Sequence, residues 1–257
     1  MYFSVMSGGG TLLYYLLGSY FFFYENDIEF KGRVGTSAGA IVQALASIYK
    51  EPKAIMQVVN SLDLAKMKDF NLDFSNYTGI LNGDLILEAF KKFFDIQFKD
   101  IEDNLNVIAT RVRDGKETVF NRLNTPNIYL YDALRASMSI AGAFKPHEIL
   151  GEQYIDGGYT NNCAFDFFEN NPYTITVKLI NSRENFEIKN ILDSAIIPLY
   201  ISIRAIEKKH SEDNYKGKVI KIDTDRDFLK LDISKDDIQD MILEGFKQTK
   251  EQLENVL

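Results

Sequence analysis

Short apolar segments alternate along the chain with longer segments in which apolar side chains recur every three or four residues. The first pattern predicts strands and the second predicts helices. The predicted strands are Tyr2–Met6, Phe30–Val34, Leu105–Thr110, Thr118–Asn121, Tyr173–Leu179 and Lys218–Ile222. The predicted helices are the segment that ends near Tyr24, and Ala38–Tyr49, Pro52–Asn60, Asp84–Phe94, Ile128–Ile140 and Lys235–Val256.

The order of these elements predicts the fold class. Strands that alternate with helices are typical of α/β proteins, in which a largely parallel sheet is covered on both faces. Thr118–Asn121 is the exception, because Asp114-Gly115 predicts a hairpin with the preceding strand. No internal repeat, low-complexity tract or linker interrupts the chain, so we expect one domain over residues 1–257.

The first predicted helix contains the apolar run Leu12–Tyr24, which is 13 residues long and is broken by Gly18-Ser19. A membrane-spanning helix needs ~20 residues, so a buried helix is the favoured interpretation. The alternative is a helix that also meets lipid or substrate, because aromatic and leucine side chains cover most of its circumference.

The composition argues against several classes of binding partner and site. The chain is 46% apolar and carries a net charge of -8, with a pI near 5.0. It therefore lacks the basic footprint of a nucleic-acid-binding protein. Cys163 is the only cysteine, which excludes an internal disulfide, suits a reducing compartment and argues against a zinc site. No signal peptide is evident, so we expect a cytoplasmic protein.

The segment Gly35-Thr36-Ser37-Ala38-Gly39 fits the G-x-S-x-G pattern of a nucleophile elbow. It follows a predicted strand and opens a predicted helix. A serine on such a turn projects its hydroxyl beyond the sheet, and the helix N-terminus behind it favours a developing negative charge. Ser37 is therefore a candidate nucleophile for acyl transfer, with an ordinary tight turn as the alternative.

Acyl transfer also needs hydrogen-bond donors for an oxyanion. Ser7-Gly8-Gly9-Gly10 lies between the first strand and the first helix, and neighbouring parallel strands end on the same edge of a sheet. We expect the amides of Gly8, Gly9, Gly10 and Ala38 to be those donors. A phosphate-binding loop is disfavoured, because position 13 is Leu13 and no Gly-Lys-Ser/Thr follows. A plain structural turn remains the alternative.

The base has three candidates. His210 lies in the charged stretch Lys208–Asp213, which is typical of a solvated loop, and His147 follows Pro146 in a predicted loop. Asp156 ends a short apolar strand and precedes two glycines. In a partly dry site its pKa would rise, and it could accept the serine proton directly. An aspartate in an ordinary Gly-Gly turn is the alternative.

Together these motifs resemble the patatin-like phospholipase family. The resemblance rests on Ser7–Gly10, Gly35–Gly39 and Asp156-Gly157-Gly158 in this order. It extends to Thr78–Asp84, Ala136–Pro146, Asn161-Asn162 and the C-terminal stretch Lys221–Lys250, and so covers essentially the whole chain. Two positions depart from the family pattern. Arg or Lys is frequent shortly after the glycines, where this chain has Thr11-Leu12-Leu13, and Tyr159 stands where a smaller apolar residue is frequent.

The resemblance implies a three-layer α/β/α sandwich around a mostly parallel sheet. It also implies a Ser37–Asp156 dyad without histidine, an oxyanion hole formed by Gly8, Gly9 and Gly10, and hydrolysis of the acyl esters of lipids without calcium or another cofactor. The expected partners are a lipid or phospholipid substrate and, peripherally, a membrane.

Two alternatives to the dyad enzyme remain. One is a catalytically weak lipid-binding or storage protein of the same fold, which intact Ser37 and Asp156 argue against. The other is a triad through His147, in which His147→Ala would lose as much activity as Asp156→Ala.

Overall fold

The computed structural model describes residues 1–62, 68–71, 78–182, 187–189, 191–209, 215–226 and 232–253. Its strands are β1 (Tyr2–Met6), β2 (Phe30–Thr36), β3 (Gly79–Leu81), β4 (Leu105–Arg111), β5 (Lys116–Phe120), β6 (Gly142–Phe144), β7 (His147–Ile149), β8 (Glu152–Asp156), β9 (Thr174–Asn181) and β10 (Lys218–Thr224). Its helices are α1 (Leu13–Glu25), α2 (Ala38–Tyr49), α3 (Pro52–Ser61), α4 (Asp84–Phe94), α5 (Leu130–Ser137), α6 (Gly158–Asn161), α7 (Ile191–Lys209) and α8 (Lys235–Leu253), with 3-10 turns at Gly10–Leu12 and Phe98–Asp100.

The main sheet follows the order β10-β9-β1-β2-β4-β8-β7, and β5 pairs with β4. Its first five strands run parallel, whereas β5, β7 and β8 are antiparallel to their neighbours. Helices flank this sheet. The predicted α/β class, the mostly parallel sheet and the hairpin between β4 and β5 are therefore confirmed.

The ends of β2 and β8 meet on one edge of β4. Thr36 at the end of β2 pairs with Ile108, and Asp156 at the end of β8 pairs with Ala109, the next residue along β4. Both strands occupy the edge opposite β5, because β5 pairs with Ile108 and Ala109 as well. Since β2 runs parallel and β8 antiparallel to β4, their carboxyl ends point at each other.

The two faces of the sheet carry separate apolar clusters, because neighbouring strand residues point to opposite faces. Met6, Val107 and Ala109 pack into the large cluster that includes side chains of α1, α2, α3, α4, α5 and α8. Val5 and Ile108, which alternate with them, pack on the other face against the segment 163–168.

Helix α1 is buried along most of its length, as the favoured interpretation of its apolar run predicted. It packs against α8 at two glycines. A Cβ at Gly18 would lie 2.0 Å from the carbonyl oxygen of Ile242, and a Cβ at Gly245 would lie 2.1 Å from that of Tyr15. None of the helices in the described part of the chain combines the length and apolar character needed to cross a bilayer.

Helix α8 also covers the outer edge of β10 with two glutamine side chains. Gln252 accepts the N–H of Lys221 and donates to its carbonyl, at 2.9 Å each. Gln248 makes the same pair of bonds with Asp223, at 2.8 and 3.0 Å. At its start, Ser234 accepts the N–H of Asp237 at 3.0 Å and so caps the helix. Residues 254–256, which the prediction included, lie outside the described residues.

Helix α5 is shorter than the predicted Ile128–Ile140. It begins late because Ile128 and Leu130 exchange backbone hydrogen bonds with the segment 96–98. It ends at Ser137 because the carbonyls of Ser137 and Ser139 accept N–H groups from the end of β8 and the residue after it. The sequence analysis did not predict α7, where Pro198 lies inside the helix and interrupts its pattern.

Candidate active site

Ser37 lies on a sharp turn between β2 and α2, with backbone angles φ 51° and ψ -118°. This conformation is unfavourable for a residue with a side chain and costs about 1–3 kcal/mol. Both flanking glycines are required by close packing. A Cβ at Gly35 would lie 2.5 Å from the backbone N of Ala40, and one at Gly39 would lie 2.2 Å from the carbonyl oxygen of Met6. The predicted strand-turn-helix context of Ser37 is confirmed.

The glycine loop after β1 lies against this turn. A Cβ at Gly8 would be only 3.3 Å from the Cβ of Ser37. The N–H of Gly8 donates to the carbonyl of Asn162 at 3.0 Å. No acceptor for the N–H of Gly9 or Gly10 is found among the residues that the structure describes. Ala38 is the first residue of α2, so its N–H has no partner within the helix.

Asp156 is 3% exposed, and its Oδ1 accepts the N–H of Gly158 at 2.7 Å. Burial raises the pKa of this carboxyl to about 6, although the Ser37 hydroxyl and the Gly158 amide oppose the shift. Ser37 is therefore within reach of the carboxylate, yet no described group makes a well-aligned hydrogen bond with Oδ2. A buried carboxylate with one open oxygen beside a serine can accept that serine's proton.

Two residues that the sequence analysis did not select hold this arrangement together. The hydroxyl of Ser137 accepts the N–H of Ser37 at 2.8 Å and donates to the carbonyl of Ile108 at 2.6 Å. Asn162 lies between the glycine loop and the end of β8, with its Oδ1 2.5 Å from a Cβ placed at Gly8 and 3.3 Å from one at Gly158. Both residues belong to segments that carry the family resemblance. That resemblance is the feature of the sequence from which they could have been selected.

The segments Thr78–Asp84 and Ala136–Pro146, which also carried the resemblance, lie together. Within them β3 and β6 pair as a second, two-stranded parallel sheet. The buried guanidinium of Arg135, just before the second segment, donates to the carbonyls of Asn82, Gly83 and Lys145. Burial lowers the pKa of Arg135 to about 10, against the opposing charges of two aspartates. Arg135 thus links α5 to the two segments that carry β3 and β6.

His147 lies on the short edge strand β7 and not in a loop, which corrects the prediction, because β7 pairs with β8. Its Nε2 is 2.8 Å from Oδ1 of Asp132 on α5. The structure thus gives His147 a partner other than Asp156. His210, the other histidine, lies outside the described residues.

Apolar side chains contact the loops that carry Ser37 and Asp156. A Cβ at Gly9 would lie 2.2 Å from Leu179 Cδ1, and one at Gly158 would lie 3.1 Å from Ile203 Cδ1. Tyr159 is half-buried, and its hydroxyl interacts with the backbone N–H of Ala141. Across the described ranges, no three His, Cys, Asp or Glu side chains are close enough together to hold a metal ion.

The chain is similar to two curated proteins. It is 26% identical over 197 residues to the uncharacterized protein R571 of Acanthamoeba polyphaga mimivirus, which covers 70% of this chain and 66% of that protein. It is 29% identical over 159 residues to the omega-hydroxyceramide transacylase of Mus musculus, which covers 59% of this chain and 25% of that protein. The chain therefore spans less than two thirds of the length of both relatives.

Two solved structures share the fold. VipD from Legionella pneumophila superposes with a TM-score of 0.65 at 13% identity, covering 99% of this chain and 67% of VipD. ExoU in its complex with SpcU, from the type III secretion system of Pseudomonas aeruginosa, superposes with a TM-score of 0.54 at 17% identity, covering 99% of this chain and 51% of that chain.

A family model settles the assignment. The model of the patatin-like phospholipases matches residues 5–169, which include the glycine loop, the Ser37 turn and the Asp156 loop. This segment is more than half of the 257 residues. The chain belongs to the patatin-like phospholipase family.

Proposed function

We propose that the protein is a lipid acyl hydrolase in which Ser37 is the nucleophile and Asp156 is the base. The observation that carries the proposal is the pairing of two features at one edge of the sheet. Ser37 occupies a left-handed turn at the start of α2, and its hydroxyl interacts with the buried carboxyl of Asp156. Membership of the family supports the same assignment.

In the first half of the reaction, Ser37 Oγ attacks the ester carbonyl carbon and its proton passes to Asp156. The tetrahedral oxyanion is stabilised by the amides of Gly9, Gly10 and Ala38, aided by the positive end of α2. The Gly8 amide is engaged by Asn162, so Gly8 contributes its small size beside Ser37. The carbon–oxygen bond to the alcohol then breaks, and Asp156 returns the proton to the departing alcohol.

In the second half, water attacks the acyl-enzyme and gives a proton to Asp156. Collapse of the second tetrahedral intermediate returns that proton to Ser37 Oγ and releases the fatty acid. An alcohol in place of water would give acyl transfer. That outcome is a second candidate, favoured by the likeness to the mouse transacylase and by the burial of Ser37, which is 6% exposed.

The apolar side chains at the site favour a fatty-acyl substrate. Leu179 contacts the glycine loop and Ile203 contacts the loop after Asp156. Apolar side chains therefore lie against both loops that surround the reacting groups. Fatty-acyl esters reside in bilayers, and we therefore propose peripheral contact with a membrane or micelle during turnover.

A panel of phospholipid vesicles, with fatty-acid products identified by mass spectrometry, tests the proposal. Wild-type protein should release fatty acid, and the product masses would identify the ester bond that is cleaved. A parallel set with a long-chain alcohol separates hydrolysis from acyl transfer. A folded protein that releases no acyl product from any lipid would contradict the proposal and favour a binding or storage role.

The pH dependence of activity should follow Asp156. The base must be ionised to accept a proton, and its pKa is about 6. We expect kcat/KM for an uncharged ester to be constant above pH 7 and to fall about tenfold per pH unit well below pH 6. Rates measured between pH 4.5 and 8.5 would check this. A profile that stays flat to pH 4.5 would contradict Asp156 as the base.

His147→Ala should leave kcat within about threefold of wild type, because His147 pairs with Asp132 and the proposed proton path does not use it. Steady-state rates on one ester substrate are the measurement. A loss as large as that of Asp156→Ala would instead support a histidine triad.

A further inference from the structure

The last residue of α5, Ser137, connects the two halves of the candidate dyad. Ser37 and Asp156 come from distant parts of the chain, and their own strands meet only end to end on β4. Ser137 touches both sides. Its hydroxyl accepts the N–H of Ser37 at 2.8 Å, and its carbonyl accepts the N–H of Gly157 at 3.2 Å.

The geometry fixes the direction of each of these hydrogen bonds. The carbonyl of Ile108, 2.6 Å from Ser137 Oγ, can only accept, so the single hydroxyl proton of Ser137 points there. A lone pair of Ser137 Oγ is then directed at the N–H of Ser37, which can only donate. Ser137 is fully buried, so water does not replace either bond.

We propose that Ser137 is a positioning residue that sets the distance between the Ser37 hydroxyl and the Asp156 carboxylate. This inference rests on the proposed function. Ser37 has an unfavourable backbone conformation, which surrounding contacts must maintain. The hydroxyl of Ser137 holds the N–H of that residue, while the backbone of Ser137 holds the residue after the base. Misplacing a nucleophile by about 1 Å can cost about 100-fold in rate.

Ser137→Ala should therefore lower kcat by about 10- to 100-fold and change KM by less than about threefold. Ser19→Ala is the matched control. Ser19 is also fully buried, donates its hydroxyl to the carbonyl of Tyr15 and accepts a hydrogen bond from Thr249 at 2.7 Å. Both variants lose two buried hydrogen bonds, so both should lose stability, but only Ser137→Ala removes a contact with Ser37.

Kinetics on one ester substrate and urea melts of both variants make the comparison. An active wild type in which Ser137→Ala keeps the kcat of Ser19→Ala would overturn the inference alone. A wild type that is inert on every ester would overturn the proposed function, and the inference with it. These two failures are therefore distinguishable.

Amide hydrogen exchange of the wild-type protein tests the contact even if Ser137→Ala does not fold. The Ser37 amide should be protected, because Ser137 accepts its proton, whereas the next amide, Ala38, should exchange faster. Equal and rapid exchange at both positions would overturn the inference.

Discussion

Ser37→Ala should lower kcat/KM by about four orders of magnitude and change the stability of the fold only slightly. The loss is large because alanine removes the nucleophile, and neither Asp156 nor the oxyanion donors can replace it. The backbone strain at φ 51° should not change, because alanine keeps the Cβ. Loss of the hydroxyl that favours the ionised Asp156 should lower stability slightly at neutral pH. Fatty-acid release from vesicles and urea unfolding are the two measurements.

Ser47→Ala is the matched control for this variant. Ser47 lies on the same helix, α2, is buried, and has a hydroxyl without a hydrogen-bond partner among the described residues. Its removal should leave activity at the wild-type level. If Ser37→Ala keeps more than about a tenth of the wild-type activity, another residue must be the nucleophile.

Asp156→Asn should abolish activity and make the protein more stable at neutral pH. The amide cannot accept the serine proton, and removal of a general base costs about three to four orders of magnitude. The stability gain follows from linkage. The folded pKa of about 6 lies above the ordinary value of 3.8, so the native state binds the proton more tightly than the unfolded chain does.

The direction of the pKa shift determines the pH range over which stability changes. The contribution of Asp156 to wild-type stability should be greatest below pH 4, fall as the pH rises through the folded pKa, and remain lower above pH 7. The difference of about two pKa units corresponds to about 3 kcal/mol, which is an upper bound for the gain on replacing aspartate by asparagine. Urea melts at pH 4.5 and 7.5 should show that this gain is larger at the higher pH.

Asp114→Asn on the hairpin between β4 and β5 provides the opposite case. A hydrogen bond from Arg111 lowers the pKa of Asp114 to about 2, so its charge is favourable in the folded state. This variant should be slightly less stable than wild type and fully active. If Asp156→Asn is instead less stable than wild type at pH 7.5, the buried charge of Asp156 does not destabilise the folded protein.

The parts of the fold that could be predicted are those with a strong local pattern. Mostly apolar strands such as β1 and amphipathic helices such as α4 were correctly located. The elbow at Ser37 could be predicted because Gly35 is needed within the turn itself and Gly39 completes the G-x-S-x-G pattern. Helix α7 and the short strands β6 and β7 lack such a pattern, since their form depends on partners elsewhere in the fold.

The finer details of the site depend on contacts between distant segments. Gly8, Gly9 and Gly10 were expected to act alike, yet the amide of Gly8 is bound by the carbonyl of Asn162. The hydroxyl of Ser137 reaches Ser37 across 100 positions of sequence. Neither contact produces a periodic pattern in the sequence, because each depends on a single polar atom that the fold brings close to its partner.

The glutamine side chains of α8 have a consequence for how this protein can associate. An edge strand normally offers open N–H and C=O groups on which another chain can add a strand. On β10, Gln248 and Gln252 already occupy those groups at Asp223 and Lys221, in the manner of an extra strand. Strand addition at β10 is thereby disfavoured, so the lipid contact proposed above would not offer the backbone of this edge to a second copy.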